Sequence, residues 1–188
     1  IFNPVWAILP ILLSGYVAYF FRDPVRVCPS DPLAIISAAD GKVVGIDDVM
    51  ETNYFQKKVK RVSIFLSIFD VHINRSPVQG NVQYIHYQPG KFHNAMEGKS
   101  SLYNEHNLIG IHNHHSNVMV KQIAGMIARR IICYCSNGDR VQAGEKIGLI
   151  KFGSRVEIFI PLDTPVLVKI GDRVKGGETI IGRLTQSI

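Results

Sequence analysis

Residues 138–147 read GDRVQAGEKI, and residues 171–180, which begin 33 positions later, read GDRVKGGETI. The shared pattern is typical of a turn that leads into a short strand, because glycines tolerate the backbone angles of tight bends. Two similar turns can also arise by chance. As a true repeat, the pair predicts a quasi-symmetric β-structure, and the intervening residues 151–161 form a strand between the two copies.

Residues 151–161 read KFGSRVEIFIP. They alternate as a β-strand does, with β-branched residues at positions 156, 158 and 160, and Pro161 ends the run. The Gly153-Ser154 pair at the start has two interpretations. One is a turn or bulge, in which glycine supplies unusual backbone angles. The other is a scissile pair, in which Ser154 attacks the Gly153 carbonyl, which no side chain shields. The dipeptide alone does not decide between them.

The rest of the chain after residue 21 is mostly β. Alternating residues predict strands over 34–46, 59–69 and 81–87, paired strands over 109–115 and 118–123, and another over 127–134, with Asp40-Gly41 at a bend in the first of them. Few segments show a helical period. The repeated turns resemble the hairpins of biotinyl- and lipoyl-type domains. The fold expected from that resemblance is a barrel-sandwich-hybrid-like β-sandwich.

Residues 1–21 carry no charged side chain. As a helix they would be about 30 Å long, which is enough to cross the hydrocarbon core of a bilayer. Arg22 and Arg26 follow directly and favour a cytoplasmic position for the rest of the chain. Pro4 and Pro10 interrupt the segment, and the alternative is a buried core helix. We expect a membrane-anchor helix at 1–21 and a second domain at 22–188.

The chain of 188 residues has a formal net charge of +6, which favours an anionic partner such as phospholipid or nucleic acid. No zinc-finger spacing or aromatic-basic RNA-binding pattern occurs, so we expect no nucleic-acid partner. Three cysteines give no disulfide framework and suit a reducing compartment. His112, His114 and His115 suggest a metal, but further ligands at a recognisable spacing are missing, so we expect none.

Residues 63–80 read SIFLSIFDVHINRSPVQG, an apolar strand that ends in a cluster of polar side chains. His72 lies in this cluster. An unperturbed imidazole titrates near 6.5, so His72 could take and return a proton at neutral pH. A lone histidine after a strand is more often structural. Asp40 is a second acid–base candidate, although an Asp-Gly pair most often only makes a turn.

Six segments, taken in order, resemble the motifs of the phosphatidylserine decarboxylase family in its short, single-anchor bacterial form. They extend over nearly the whole chain, from residue 19 to residue 182. Each segment alone is weak, and their order makes the resemblance specific. The segments are FFRDP (20–24), AADGKV (38–43), FDVHINRSP (69–77), PGKF (89–92), NEHN (104–107) and FGSRVE (152–157).

The resemblance implies a proenzyme that cuts itself. Ser154 would attack Gly153, giving a β chain that ends at Gly153 and an α chain, 154–188, whose first residue becomes a covalent pyruvoyl group. The group would serve as the electrophile for converting phosphatidylserine in the membrane to phosphatidylethanolamine and CO₂. His72 and Asp40 would act as acid and base.

By the same resemblance, Arg75 and Asn104 would bind the substrate. The enzyme would lie at the inner membrane with its catalytic domain facing the cytoplasm. Whether it forms a homo-oligomer stays open.

Residues 152–155 read Phe-Gly-Ser-Arg in place of the usual Leu-Gly-Ser-Thr, which the short forms resemble, and the sequence departs from the family pattern at three further positions. Arg75 stands where larger members have a second histidine, His106 where arginine is common, and Ala38 where proline is common. Two other hypotheses therefore stay open. One is an inactive, membrane-tethered scaffold. The other is a carrier-like binding module, but neither Lys42 nor Lys175 lies in the Met-Lys or Asp-Lys pair that carriers present.

Overall fold

The protein, seen in a computed structural model, is described over residues 5–91, 103–125, 130–151 and 153–185. One helix, α1 (Val5–Phe20), comes first, and strands make up most of the remaining described part. The strands are β1 (Ala34–Ile36), β2 (Gly41–Glu51), β3 (Lys57–Leu66), β4 (Ile73–Arg75), β5 (Gly80–Gln88), β6 (His106–His112), β7 (Asn117–Ile123), β8 (Ile131–Cys133), β9 (Arg140–Val141), β10 (Lys146–Ile150), β11 (Ser154–Ile160), β12 (Arg173–Val174) and β13 (Ile180–Arg183).

An eight-stranded antiparallel sheet, in the order β12-β2-β3-β11-β7-β6-β5-β9, forms the body of the protein and curls into a half-barrel. Two small sheets, β1-β13 and β4-β10-β8, accompany it. β-branched residues such as Ile64, Val120 and Ile158 fill the core and are completely buried. The mostly β class expected from the alternating pattern is confirmed.

The main sheet has an approximate two-fold axis, the pseudo-dyad, which passes between its central strands β11 and β7. The strand order is matched from either edge: β12 corresponds to β9, β2 to β5 and β3 to β6. The two GDRV turns also have the same geometry. Gly138 (φ 95°) donates its N–H to the Val82 carbonyl, and Gly171 (φ 103°) donates to the Val43 carbonyl, each at 2.8 Å. The repeat is therefore a structural one, and the strand that follows Gly153 lies at its centre.

The Asp40-Gly41 bend differs from the strand–turn–strand prediction. It joins β1 and β2, but these strands belong to different sheets, because β1 pairs with β13 and β2 pairs with β3. Gly41 lies so close to the Phe65 carbonyl that a Cβ at this position would be 2.2 Å from the oxygen. The glycine is thus required by a close approach of two strands.

Helix α1 has 16 residues and contains Pro10. It accounts for much of the segment expected as an anchor, while residues 1–4 lie outside the described residues. In the part of the chain that the structure describes, no helix combines the length and apolar character that a membrane crossing requires.

The proline-rich linker after α1 is fastened across the end of the sheet. Asp23 forms ion pairs with Arg75 at 2.8 Å and with Lys146 at 2.5 Å. Further along, Arg26 pairs with Asp40 at 2.7 Å. Arg26 also lies 3.5 Å from Glu178 of the second GDRV repeat. Arg22 donates to the Phe69 carbonyl at 2.8 Å, which holds the end of α1 beside residues 68–72.

Candidate active site

Ser154 opens β11 and lies opposite Leu66 of β3 in the sheet register. Its side chain is completely buried, in the same inward-facing row as Val156 and Ile158. Within the described residues, its Oγ makes no hydrogen bond. An unsatisfied buried hydroxyl costs about 1–3 kcal/mol, so such groups concentrate where chemistry needs them. Ser154 therefore presents a buried hydroxyl that no described hydrogen bond engages.

Gly153 precedes the strand in the left-handed region, with φ of +55°. A side chain is disfavoured in this conformation, whereas glycine adopts it without strain. A Cβ built at Gly153 would also meet no atom within 4 Å. Gly153 therefore lies in a turn, as the first interpretation of the Gly-Ser pair expected. The open space around it is also compatible with the second interpretation, in which Ser154 attacks its carbonyl.

His72 lies directly against this turn. Its Nδ1 is 2.9 Å from the Asp70 carbonyl, which can only accept, so Nδ1 carries the proton of the neutral ring. Nε2 is then an acceptor, and the Gly153 N–H donates to it at 3.3 Å. The ring is thus held in the tautomer that a general base requires. Its acceptor nitrogen faces Gly153, the residue before Ser154.

Phe20 closes the site from the side of α1. Its ring centroid lies 4.2 Å from that of His72, and both side chains are almost completely buried. Burial lowers the pKa of His72 from 6.5 to about 4, against a smaller opposite effect of the hydrogen bond to Asp70. The imidazole is accordingly neutral, and able to accept a proton, at physiological pH.

The low pKa of His72 predicts a specific pH dependence of stability. The unfolded imidazole binds a proton near pH 6.5, but the folded one does so only near about 4. Between these values the unfolded state binds more protons, so the free energy of unfolding falls as pH falls, by at most about 1.4 kcal/mol per pH unit. Urea denaturation of uncut Ser154→Ala protein measures this slope. In Ser154→Ala/His72→Asn the slope should be shallower, and equal slopes would contradict the pKa assignment.

Asp40, expected to be an acid or base, has both carboxylate oxygens occupied. Oδ2 accepts from Nη2 of Arg26 at 2.7 Å, and Oδ1 accepts from the Gly176 N–H at 2.8 Å. It thereby joins the linker, the bend before β2 and the second GDRV turn. Among the described residues its hydrogen bonds run to these partners and not to His72 or Ser154.

Arg75 and Asn104, expected to be substrate contacts, are both buried and hydrogen-bonded. Arg75 pairs with Asp23 and also donates to the Gly144 carbonyl at 3.0 Å. Asn104 donates through Nδ2 to the Ala124 carbonyl at 2.8 Å. Of the residues expected in the site, the structure brings Ser154, Gly153 and His72 together. Asp40 and Arg75 instead form ion pairs with the linker, and Asn104 bonds to the Ala124 carbonyl after β7.

A buried chain of amide side chains was not expected from the sequence. Asn107 donates to Gln122 at 3.0 Å, and Gln122 donates to Asn74 at 2.8 Å. Gln122 lies opposite Val156 of β11, and Asn74 is two residues from His72. The chain therefore ties β6, β7 and β4 together beside the start of β11. Asn74 and Asn107 fall within the family motifs, but only the sheet register could have revealed Gln122.

The three histidines that suggested a metal lie at the end of β6 and in the β6-β7 turn. His112 forms a hydrogen bond to Oδ1 of Asn117 at 2.8 Å and is exposed at the end of β6. Across residues 5–91, 103–125, 130–151 and 153–185, no three or more histidine, cysteine or acidic residues are grouped as metal ligands would be.

A buried serine after a left-handed glycine, with a neutral imidazole against the glycine amide, is suited to acyl transfer from the glycine carbonyl to the serine oxygen. Such a site is typical of a protein that cleaves its own chain at serine, and comparison with known proteins identifies the family. The model of the phosphatidylserine decarboxylase family matches residues 13–182.

Curated relatives agree over almost the full length. The phosphatidylserine decarboxylase proenzyme of Carboxydothermus hydrogenoformans is 49% identical over 178 residues, which is 94% of this chain and 84% of the relative. The proenzyme of Symbiobacterium thermophilum is 45% identical over 96% of this chain and 86% of its own length. That of Desulfotalea psychrophila is 42% identical, covering 93% and 82%. The chain belongs to the phosphatidylserine decarboxylase family.

Proposed function

We propose that this chain is a self-processing, pyruvoyl-dependent decarboxylase that converts phosphatidylserine to phosphatidylethanolamine and CO₂. Family membership supports the reaction. The observation that carries the proposal is the hydrogen bond from the Gly153 N–H to Nε2 of His72, one residue before a buried serine hydroxyl without a described partner.

Processing would begin at Ser154. Its Oγ adds to the Gly153 carbonyl carbon, the peptide nitrogen leaves, and an ester joins Gly153 to the serine oxygen. Neutral His72 is suited to take the hydroxyl proton and pass it to the departing amine. Loss of the Cα proton of residue 154 then breaks the Cβ–O bond. This frees Gly153 as a carboxylate and leaves dehydroalanine, which water hydrolyses to a pyruvoyl end and ammonia.

Position 154 suits such a group. It is fully buried, its Oγ has no partner among the described residues, and Gly153 beside it leaves open space. When present, a pyruvoyl group supplies a carbonyl that accepts the electrons released as CO₂ departs. The chain's own residues supply the rest. His72 would return a proton to the substrate carbon, and Phe20 would exclude water from the imidazole.

The substrate contacts belong to the same proposal. Arg75 suits the phosphate or carboxylate of the headgroup, because guanidinium binds both in a bidentate manner. Asp23 now occupies it at 2.8 Å, so an incoming anion would replace this carboxylate. Asn104 is proposed as a second contact. Asp40 would act as the acid or base once its pairing with Arg26 is released, and would otherwise hold the linker in place.

A lipid substrate would arrive beside α1. The helix exposes apolar side chains such as Leu9 and Leu12, and exposed Phe69 lies where the helix end meets the sheet. Tyr16 OH donates to the Ile68 carbonyl at 3.2 Å, which fixes this junction next to His72. We therefore propose that the segment up to residue 21 associates with the inner membrane, and that the domain 22–188 acts at its cytoplasmic face.

Intact-mass spectrometry of the purified protein tests the proposal most directly. We expect two chains, one ending at Gly153 and one comprising residues 154–188 with the mass of a pyruvoyl end in place of serine. A protein that decarboxylates phosphatidylserine as a single uncut chain would contradict the pyruvoyl mechanism. An uncut chain without activity would identify the inactive scaffold instead.

A further inference from the structure

The pseudo-dyad relates the Ser154 site to a second pocket in the other half of the sheet. The register pair Lys42–Arg173 in one half corresponds to Asn81–Arg140 in the other. In the same way, the pair Arg155–Phe65 corresponds to Asn117–His112. It follows from the second correspondence that Ser116 occupies the position of Ser154.

The acid–base residues are not repeated at the second position. Ser76 and Ser37 make equivalent 2.7 Å bonds to the carbonyl two residues on, which aligns the segments before β5 and β2. By this alignment Gln79 replaces Asp40 and Leu33 replaces His72. The amide before Ser116, that of His115, donates to Oδ1 of Asn113 at 2.9 Å and not to an imidazole, so the contact that Gly153 makes with His72 has no counterpart. The second pocket is therefore not a second processing site.

A cavity of about 480 Å³ is nevertheless present there. This volume suits a small ligand, since pockets for such molecules begin near about 300 Å³. Its walls come from the linker, the start of β5, the β6-β7 turn and β9. The polar residues that line it include Asp31, Gln79, Asn81, His114, His115 and Arg140.

The β6-β7 turn that forms one wall is rigidly built. Asn113 is only 7% exposed, its Nδ2 donates to the Gln79 carbonyl at 2.7 Å, and its Oδ1 accepts from the His115 N–H at 2.9 Å. The Asn113 N–H also donates to the Ser116 carbonyl at 2.9 Å. The imidazoles of the turn are thus presented by a backbone that is already fixed before any ligand binds.

The charge of the pocket favours an anion. No ion pair to Arg140 occurs in the described part of the chain, and its guanidinium is exposed at the pocket wall. The carboxylate of Asp31 is already engaged, by Nε of Arg183 at 3.1 Å and by the Leu33 N–H at 3.0 Å. The net charge of the pocket wall is therefore positive, and the amide and imidazole side chains add hydrogen-bond donors.

We propose that this second pocket binds a small phosphate-bearing molecule through Arg140. Guanidinium matches the geometry of phosphate oxygens, and the neighbouring histidine and asparagine side chains supply further hydrogen-bond donors for a phosphate site. The phosphate can belong to a phospholipid headgroup or be free in solution, since the same groups recognise both. The site does not depend on processing at Ser154.

Nuclear magnetic resonance of the full processed protein with labelled histidines tests this proposal. Inorganic phosphate, added at pH 7, should shift the ring signals of His114 and His115 along a saturable curve. Arg140→Gln should raise the dissociation constant at least about tenfold, the loss expected for one charge-assisted phosphate contact. Arg173→Gln, the matched change in the other half, should leave that constant unchanged. Decarboxylation by Arg140→Gln should equal that of the parent.

A titration with glycerophosphoethanolamine distinguishes a phospholipid headgroup from free phosphate as the ligand. Equal affinity for this compound and for inorganic phosphate indicates a site for the phosphate group alone, and at least tenfold tighter binding of the compound indicates a headgroup site. The proposal is wrong if neither compound gives a saturable shift, or if Arg140→Gln binds as tightly as the parent. Because the readout is binding and not turnover, these outcomes do not bear on the proposed decarboxylase activity.

Discussion

Replacing Ser154 with alanine is expected to leave one uncut chain whose decarboxylase activity is indistinguishable from background. The side chain removed is the proposed nucleophile and the source of the electrophilic group, so neither step has a substitute. Because Ser154 begins a fully buried strand between β3 and β7, alanine should be accommodated without loss of the fold. Intact mass and release of CO₂ from phosphatidylserine measure the two consequences.

Ser116 offers the matched control for this change. It corresponds to Ser154 through the pseudo-dyad, but the amide before it, that of His115, donates to Oδ1 of Asn113 and not to a histidine ring. Ser116→Ala should therefore be cut and active like the parent. Normal activity from Ser154→Ala would exclude the pyruvoyl mechanism, whatever the control does.

Replacing His72 with alanine should slow self-cleavage, decarboxylation or both by about 10²- to 10⁴-fold, the usual contribution of a positioned general base. The imidazole is neutral, its Nδ1 is held by the Asp70 carbonyl, and its Nε2 faces the Gly153 amide. The fraction of cut chain over time after cell-free synthesis measures the first step. CO₂ release per cut chain measures the second.

His106→Ala is the control for His72→Ala. His106 is half-buried, its Nδ1 bonds to the Asn104 carbonyl at 2.7 Å, and burial lowers its pKa, as it does that of His72. It has no described contact with Gly153, so its loss should affect both rates far less. If cleavage and decarboxylation proceed at parental rates in His72→Ala, the histidine is structural and the base lies elsewhere.

Local patterns in the sequence predicted the mostly β fold well. Alternation identified the strands because one face of each is buried, and the GDRV repeat predicted the approximate symmetry because glycines mark its turns. The pairing of strands was harder to predict. Asp40-Gly41 gave the signal of a hairpin turn, but the partners of β1 and β2 are β13 and β3, which are distant in the chain.

In the candidate site, too, local features were predictable from the sequence and long-range contacts were not. Ser154, Gly153 and His72 were predicted because their motifs are local, and the structure brings them together. The partners of Asp40 and Arg75 were not predictable, since ion pairs with Arg26 and Asp23 join segments that no spacing rule connects. Gln122 was missed because a single amide in an alternating strand has no distinctive pattern.

The position of β11 has a consequence for the protein as an assembly. Residues 154–188 contribute the strand at the centre of the main sheet, paired on both sides, as well as β12 and β13. If the Gly153–Ser154 bond is cut as proposed, two polypeptides would share one hydrophobic core, and neither would retain a complete sheet alone. Cleavage at the proposed site would thus make the two chains depend on each other for their fold, and recovery from denaturation would become a bimolecular reaction that depends on concentration.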